Sequence, residues 1–292
     1  MNRAARTAGL SIGSNTVLIL LKLIVGFLSG SVSIISEAIH SLMDLAAAIM
    51  AFFSIRMASA PADEDHPYGH EKVENVSGVL EAVLIIVAAG LIIFESIKKI
   101  LHPEAIRNLE LGIAVMFVSG LVNIIVSRRL YKVAAEERSV ALEADALHLK
   151  TDVYSSLGVG LGLLVIVVLE RSFGLAWAYL LDPVVALSIA LLILREAWEM
   201  LSRAFGPLVD TSISKEERVQ IEETVAGYSG VGMHSIRTRR AGGKRYVDFH
   251  LSVPADMRVL DSHELCDAIE KAIESKLSNS SVLIHVEPKE EK

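Results

Sequence analysis

Two stretches of this chain carry acidic and imidazole side chains in nearly the same order. Residues 37–44 and residues 145–152 both read acid-Ala-aliphatic-His-x-x-x-Asp. In an α-helix the positions i, i+3 and i+7 share one face, so each stretch predicts a stripe of carboxylate, imidazole and carboxylate. Such a stripe needs a partner or water, because ionisable groups are expensive in an apolar environment.

If the two stripes face each other, they offer two imidazole nitrogens and two carboxylate oxygens, from His40, Asp44, His148 and Asp152. Zinc prefers a tetrahedral shell of this composition. A histidine must be neutral to bind metal, and its unperturbed pKa is about 6.5, so protons compete with the ion. The pattern predicts a site that can exchange a divalent metal for protons. Glu37 and Asp145, one turn from the ligands, are candidates for a proton path, for weak metal binding or for solvation of the path.

The elements that position these residues are long apolar segments. The chain has 292 residues, of which 52% are hydrophobic and 22% charged, a composition too apolar for an ordinary soluble domain. A bilayer core needs roughly 20 apolar residues per helix. We expect an α-helical polytopic membrane protein with six transmembrane helices, embedded in the lipid bilayer, at residues 8–29, 31–57, 73–97, 109–130, 141–170 and 177–203.

The basic residues predict which side of the membrane holds the termini. Short cytoplasmic loops carry an excess of Lys and Arg. One side has Arg3, Arg6, Arg56, Lys72, Arg128, Arg129, Lys132 and Arg138, and the other has Lys98, Lys99, Arg107 and Arg171. Both termini are therefore expected in the cytoplasm. With six spans the second and fifth run antiparallel, so the repeated motif also suggests an inverted three-plus-three repeat with its site near the midplane.

The sequence changes character after Gly206-Pro207, which should end the sixth helix. The expected division is a transmembrane domain at 1–206 and a cytoplasmic α+β domain at 207–292. The tail predicts an αββαβ order, with helices near 214–227 and 261–277 and strands at 235–239, 246–253 and 282–286. A Ser-x-x-Glu capping box, Ser214 to Glu217, marks the start of the first tail helix.

Two further groups of potential ligands lie outside the apolar segments. The loop between the second and third spans contains Asp63, His66 and His70, which could close around an ion. The tail contributes a larger set, expected at strand ends and at a helix start: His234, His250, His263, His285 and Glu287. The single cysteine, Cys266, excludes a disulfide framework.

With these motifs the whole chain resembles the cation diffusion facilitator family, zinc type. The matching features are His40-x-x-x-Asp44, His148-x-x-x-Asp152, the loop motif Asp63-x-x-His66-x-x-x-His70-x-Lys72 and the ligand set of the tail. The resemblance implies a homodimer that exports metal in exchange for protons, with metallochaperone-like tails that bind further Zn²⁺ ions. It also implies a charge pair between Lys72 and an acid near the start of the tail, for which Asp210 is the candidate.

The predicted function is therefore efflux of a divalent transition metal, zinc first, across the cell membrane, without enzyme activity. Iron, cobalt, cadmium and manganese are the alternative cargoes. A membrane-anchored metal sensor or scaffold is the alternative class. An intramembrane hydrolase is disfavoured because the chain lacks His-Glu-x-x-His and four protein ligands leave no position for water. A net charge of −7, with the acidic excess in the tail, argues against nucleic-acid binding.

Overall fold

The computed structural model describes residues 3–103, 106–137 and 140–289. It contains six long helices, α1 to α6, followed by a tail with two helices and three strands. The long helices are Arg3–Ser29, Val32–Ala58, Lys72–Leu101, Leu109–Glu137, Val140–Phe173 and Leu181–Phe205. Each predicted span overlaps one of these helices, and their ends differ by up to seven residues. Arg138, which entered the prediction of orientation, lies outside the described residues.

Five of these helices are long and apolar enough to cross a bilayer, counted over the described residues. The remaining long helix, α2, is 27 residues long and is as apolar as the other five, although it carries Glu37, His40 and Asp44. Large apolar side chains of α3, including Leu80, Leu91 and Phe94, are exposed to the surroundings, as expected of lipid-facing positions. The chain therefore has a helical transmembrane domain.

The chain divides into two compact units, residues 1–48 with 83–198 and residues 49–82 with 199–292. In the first unit α4 and α5 pack closely because glycines lie at their contact. A Cβ on Gly160 would come within 3.2 Å of the Met116 Cβ, and one on Gly120 within 3.0 Å of Leu157. Small residues allow such close approach between membrane helices.

The start of α2 is held by a buried carboxylate of α6. Asp182 accepts hydrogen bonds from the backbone N–H of Val32 at 2.8 Å and from the hydroxyl of Ser31 at 2.7 Å. The Lys99 ammonium lies 3.3 Å from the same carboxylate. A negative charge at a helix N-terminus satisfies its free N–H groups and its dipole. Asp182 thus fixes the helix that carries the first ligand motif.

The sixth helix begins later than residue 177. Residues Ala176–Leu180 form a 3₁₀ turn, and α6 starts at Leu181. Pro183 lies in the first turn of α6, where the backbone N–H groups have no partner within the helix, so the missing N–H of proline costs no hydrogen bond. The helix ends at Phe205, before a second 3₁₀ turn at Gly206–Val209, which confirms the stop predicted at Gly206-Pro207.

The tail has the predicted αββαβ order. Its elements are α7 (Lys215–Ala226), β1 (Gly232–Ala241), β2 (Lys244–Val253), α8 (Val259–Lys276) and β3 (Ser280–Pro288). The strands form one sheet in the order β1-β2-β3, antiparallel between β1 and β2 and parallel between β2 and β3. The predicted capping box is present, since Ser214 and Glu217 exchange side-chain and backbone hydrogen bonds.

The core of the tail lies between one face of the sheet and the two helices. Phe249 and Leu251 of β2 are buried against Ile221 of α7 and against Ile269 and Ile273 of α8. Alternate residues of a strand point to opposite faces. His250 of β2 therefore points away from this core, toward the face where His234 and Glu287 gather.

Candidate metal sites

The side chains of α2 and α5 meet at the two matched motifs. The Oδ2 atom of Asp44 lies 3.6 Å from Nε2 of His148, which is 3.9 Å from Oδ2 of Asp152. Ligand atoms of these three residues all lie within 4.8 Å of one another. His40 is adjacent, with Nε2 3.7 Å from the same Asp44 oxygen, but is not part of that three-residue group.

The two carboxylates of this cluster have unsatisfied oxygens. Asp152 is buried and Asp44 half-buried, and Oδ2 of each has no hydrogen bond among the described residues. A buried acceptor without a partner is costly, and a charged one more so. A cation, either a metal ion or a proton, at this position would relieve that cost.

The contact between α2 and α5 bears on the predicted inverted repeat. An inverted repeat with its site between α2 and α5 requires these two helices to be in contact. They do touch, through Asp44 with His148 and through Glu37 with the serines of α5. The repeat itself stays a prediction.

Glu37 and Asp145 differ in their surroundings. Glu37 is buried and accepts hydrogen bonds from Lys22, Ser155 and Ser156. Asp145 is half-buried and has no hydrogen bond or ion pair among the described residues. Sequence reasoning missed Lys22, although a single lysine within an apolar span is itself a signal that a buried partner exists.

The loop after α2 brings its three predicted residues together. Oδ1 of Asp63 lies 3.2 Å from Nδ1 of His66, and Oδ2 of Asp63 lies 3.3 Å from Nε2 of His70. The backbone N–H of His66 donates a hydrogen bond to Asp63, and this contact is the main cause that lowers the pKa of the Asp63 carboxyl. Nδ1 of His70 is buried without a hydrogen bond in the described part of the chain. The donor set fits a divalent transition metal.

A third group of ligands forms on the open face of the tail sheet. Nε2 of His234 contacts one oxygen of Glu287, and Nδ1 of His250 lies 3.2 Å from the other. The hydrogen bond from His234 is the main cause that lowers the pKa of Glu287. A bulge between His234 and Arg237, where Ser235 has a φ of 52°, sets the direction of the His234 side chain.

The remaining two tail histidines lie outside this group. His285 is paired with His250 in the parallel register, and their ring centroids are 4.7 Å apart. His263, at the start of α8, has its Nδ1 3.8 Å from Asp267. His234, His250 and Glu287 have the donor set of a zinc site.

The expected charge pair is present. Nζ of Lys72, at the start of α3, lies 3.0 Å from Oδ1 of Asp210, which follows the 3₁₀ turn after α6. This hydrogen bond is the main cause that lowers the pKa of Asp210. Arg239 of β1 is a second cationic neighbour of the carboxylate, at 3.6 Å.

Comparison with protein families decides which group these features belong to. Residues 9–209 match the cation efflux transmembrane domain, and residues 213–289 match the cytoplasmic domain of cation efflux proteins. The chain belongs to the cation efflux family. This family is the cation diffusion facilitator family, which the sequence motifs predicted. As a member, the chain is a cation efflux transporter in a membrane, and the family is one of transporters rather than enzymes.

Individual relatives are similar over nearly the whole chain. The uncharacterized transporter sll1263 of Synechocystis sp. is 36% identical over 286 residues, 97% of this chain and 90% of the relative. The cation-efflux pump FieF of Cronobacter sakazakii is 30% identical over 274 residues, 94% of this chain and 89% of the relative. A solved structure, the metal-bound C-terminal domain of the CzcD transporter from Thermotoga maritima, is 28% identical, covering 26% of this chain and 94% of its own, with a TM-score of 0.25.

Proposed function

We propose that this cation efflux transporter exports Zn²⁺ from the cytoplasm in exchange for protons. The observation that carries the proposal is the cluster of Asp44, His148 and Asp152, whose ligand atoms all lie within 4.8 Å of one another. The Oδ2 atoms of the two aspartates have no hydrogen bond among the described residues. His40, whose Nε2 lies 3.7 Å from Oδ2 of Asp44, would supply the fourth ligand.

Zinc is favoured over harder ions by the donor set. Two imidazole nitrogens and two carboxylate oxygens suit a four-coordinate ion, whereas magnesium and calcium take six or more oxygens. Iron, cobalt, cadmium and manganese remain the alternative cargoes for the same mechanism, since affinity order alone does not set selectivity in cells.

Exchange with protons follows from the chemistry of the ligands. A metal ion can bind only to neutral imidazole and to ionised carboxylate, so each binding event releases the protons that these groups held. On the side with low metal and more protons, the same groups take up protons and release the ion. Glu37 and Asp145 are the candidates for passing protons to and from the site.

The family supports the proposed oligomeric state, and the distribution of Lys and Arg among the loops supports the proposed orientation in the membrane. We propose a homodimer with a transmembrane domain at 1–206 and a cytoplasmic domain at 207–292, in the cell membrane with both termini cytoplasmic. Asp63, His66 and His70 in the loop and the ligand set of the tail, His234, His250, His263, His285 and Glu287, would hold resident Zn²⁺. The Lys72–Asp210 pair would keep the start of α3 and the start of the tail in fixed contact.

The test is zinc-driven flux in proteoliposomes that contain a pH dye. We expect zinc uptake with opposite proton movement in the wild type, and loss of both in His148→Ala and Asp152→Ala. Repeating the assay with iron, cobalt, cadmium and manganese identifies the cargo. If no version moves metal while the tail still binds zinc, the chain is a membrane-anchored sensor or scaffold and the proposal is wrong.

A further inference from the structure

A lysine of the first helix is buried inside the helical unit. Lys22 of α1 is 1% exposed, and its ammonium group donates to acceptors on two other helices. The acceptors on α2 are Oε1 of Glu37 at 3.0 Å and Oγ of Ser41 at 3.5 Å. The acceptor on α5 is Oγ of Ser156 at 3.1 Å. An ammonium group has three N–H donors, so these three contacts use all of them.

The acceptors of Lys22 lie about one helical turn from the metal ligands. On α2, Ser41 precedes the ligand Asp44 by three positions. On α5, Ser156 follows the ligand Asp152 by four positions. Residues three or four apart lie on the same face of a helix. Lys22 therefore joins the two ligand helices on the faces that carry the ligands.

The carboxylate of Glu37 ties the same two helices together directly. Its Oε1 atom accepts hydrogen bonds from the hydroxyls of Ser155 and Ser156, both at 2.9 Å. Oγ of Ser155 also lies 3.1 Å from the backbone carbonyl oxygen of Asp152. These contacts form one buried polar network, which consists of Lys22, Glu37, Ser41, Ser155 and Ser156.

The polar network lies between the ligands and the apolar core of the helical unit. On one side of it, Ile34 of α2 and Leu163 of α5 belong to one buried apolar cluster. On the other side, Asp44 of α2 contacts His148 of α5. Apolar core, polar network and ligands thus follow one another in the same order along both helices, so the network sits where it can control the spacing at the ligands.

The spacing of α2 and α5 at the ligands suits a zinc ion. Zinc binds nitrogen and oxygen ligands at about 2.0–2.2 Å, so two ligand atoms of a tetrahedral shell lie roughly 3.4 Å apart. Oδ2 of Asp44 and Nε2 of His148, which belong to different helices, are 3.6 Å apart. The distance across the two helices is therefore already close to the one that the ion requires.

Burial makes the polar network selective for one arrangement of the helices. A buried ammonium group without acceptors is costly, above all at membrane depth, so α1, α2 and α5 are held where Lys22 reaches all three acceptors. A buried ion pair adds little net stability, because desolvation offsets the attraction between its charges. Its contribution is to specify one arrangement, as buried polar groups do where they fix the register of packed helices.

We propose that Lys22 is a positioning residue for transport, and that its ammonium group holds α2 and α5 at the spacing at which their ligands bind the metal ion. The inference rests on the proposed transport site of Asp44, His148 and Asp152. Lys22 acts through its three acceptors, since an ammonium group has no lone pair to offer a metal ion. Its loss should weaken binding of the ion, so KM should rise with little change in kcat.

The experiment measures the KM for zinc in proteoliposomes for the double variant K22M/E37Q. The variant removes one positive and one negative charge, so the net charge beside the site is unchanged and KM reports the ligand spacing. We expect KM to rise roughly 10-fold or more, as for other groups that orient metal ligands. The kcat per folded molecule should stay close to that of the wild type. The matched control is K98M/E95Q, an exposed Lys–Glu pair of α3, which should keep the KM of the wild type.

A serine variant covers the case in which the double variant does not fold. Ser156→Ala removes the hydroxyl that accepts from Lys22 and donates to Glu37, and it leaves the two charges paired. We expect a smaller rise in KM than in K22M/E37Q. The matched control is Ser188→Ala on α6, whose exposed hydroxyl donates to the carbonyl of Val184 in its own helix. This control should leave KM unchanged.

The outcomes separate this inference from the proposed function. If Asp152→Ala still transports zinc, the transport site lies elsewhere and both proposals fail. If Asp152→Ala is inactive, the KM of K22M/E37Q decides, or that of Ser156→Ala where the double variant does not fold. A wild-type KM in the deciding variant would overturn the positioning role alone. Less folded protein with an unchanged KM would assign the polar network to folding only.

Discussion

The cluster between α2 and α5 and the cluster on the tail sheet use the same ligand types, but they differ in how their carboxylates are satisfied. In the first, Oδ2 of Asp44 and of Asp152 has no hydrogen bond among the described residues. In the second, both oxygens of Glu287 already contact histidines, one from His234 and the other from His250.

The difference matches the two tasks proposed for these sites. An unsatisfied, partly buried carboxylate pair gains from any cation, so a proton can replace a metal ion there and the ion can leave. Ligands that are already aligned by mutual contacts on a rigid sheet lose less entropy on binding and favour retention of the ion. We therefore infer that the first site exchanges its ion and the second holds it.

The largest expected effect is the loss of transport in Asp152→Asn. The amide removes a charged ligand from the exchange site, which should cost more than the roughly 10–100-fold typical of an outer-shell partner. Zinc flux in proteoliposomes measures it, with Glu95→Gln, an exposed acid of α3, as the matched control that should transport normally. Wild-type flux in Asp152→Asn would place the exchange elsewhere.

The next effect concerns the stability of the helical unit. Lys22→Met leaves Glu37 buried without its cation, and breaking a buried pair in this way costs roughly 3–5 kcal/mol. Thermal unfolding in detergent should therefore show a large loss for Lys22→Met and a much smaller one for K22M/E37Q. Equal losses in the two proteins would mean that the pair is not coupled.

A smaller effect is expected at the tail. Glu287→Gln removes the carboxylate that both histidines contact, and should weaken zinc binding by on the order of 10-fold or more. Transport at saturating zinc should change far less than in Asp152→Asn. Isothermal titration of the tail fragment measures the affinity, with Asp256→Asn, an exposed acid after β2, as the control. Unchanged affinity would remove Glu287 from the site.

The smallest effect is a pH dependence of tail stability. Burial of Glu217 disfavours its charge, but hydrogen bonds from the Ser214 backbone, Arg245 and Arg240 outweigh it and lower its pKa from 4.5 to about 2. A lowered pKa stabilises the fold above pH 4.5, and the stabilisation is lost as the pH falls toward 2. The gap in melting temperature between wild type and Glu217→Gln should be constant near neutral pH and shrink below pH 4.5.

The control for this series is Glu223→Gln, an exposed acid on the same helix, which should give no gap at any pH. A gap for Glu217→Gln that does not change with pH would mean that the effect is one of packing rather than charge.

Sequence periodicity predicted the helices and the order of elements in the tail, and it placed the ligands of each motif on one face of a helix. The meeting of Asp44 with His148 was a hypothesis that rested on the repetition of the motif in two spans. Periodicity did not separate His234, His250 and Glu287 from the other two predicted tail ligands, His263 and His285. That distinction depends on the strand register and on the bulge near Ser235, which the sequence pattern does not reveal.

The buried ion pair and the helix cap were also not predicted. Lys22 was grouped with an apolar span, and its partner lies on another helix. Asp182 stood at the start of a predicted helix, where an acid is ordinary, yet it caps a different helix, α2. Contacts between helices depend on rotation and depth, which a single sequence does not specify.

The most direct test of the account separates exchange from retention in one protein. Radioactive zinc flux and bound zinc would be measured together in Asp44→Asn and in a variant that combines His234→Ala with His250→Ala. We predict that Asp44→Asn keeps zinc bound at the tail but transports none, while the tail variant loses that bound zinc and still transports. Transport that survives in Asp44→Asn would contradict the account.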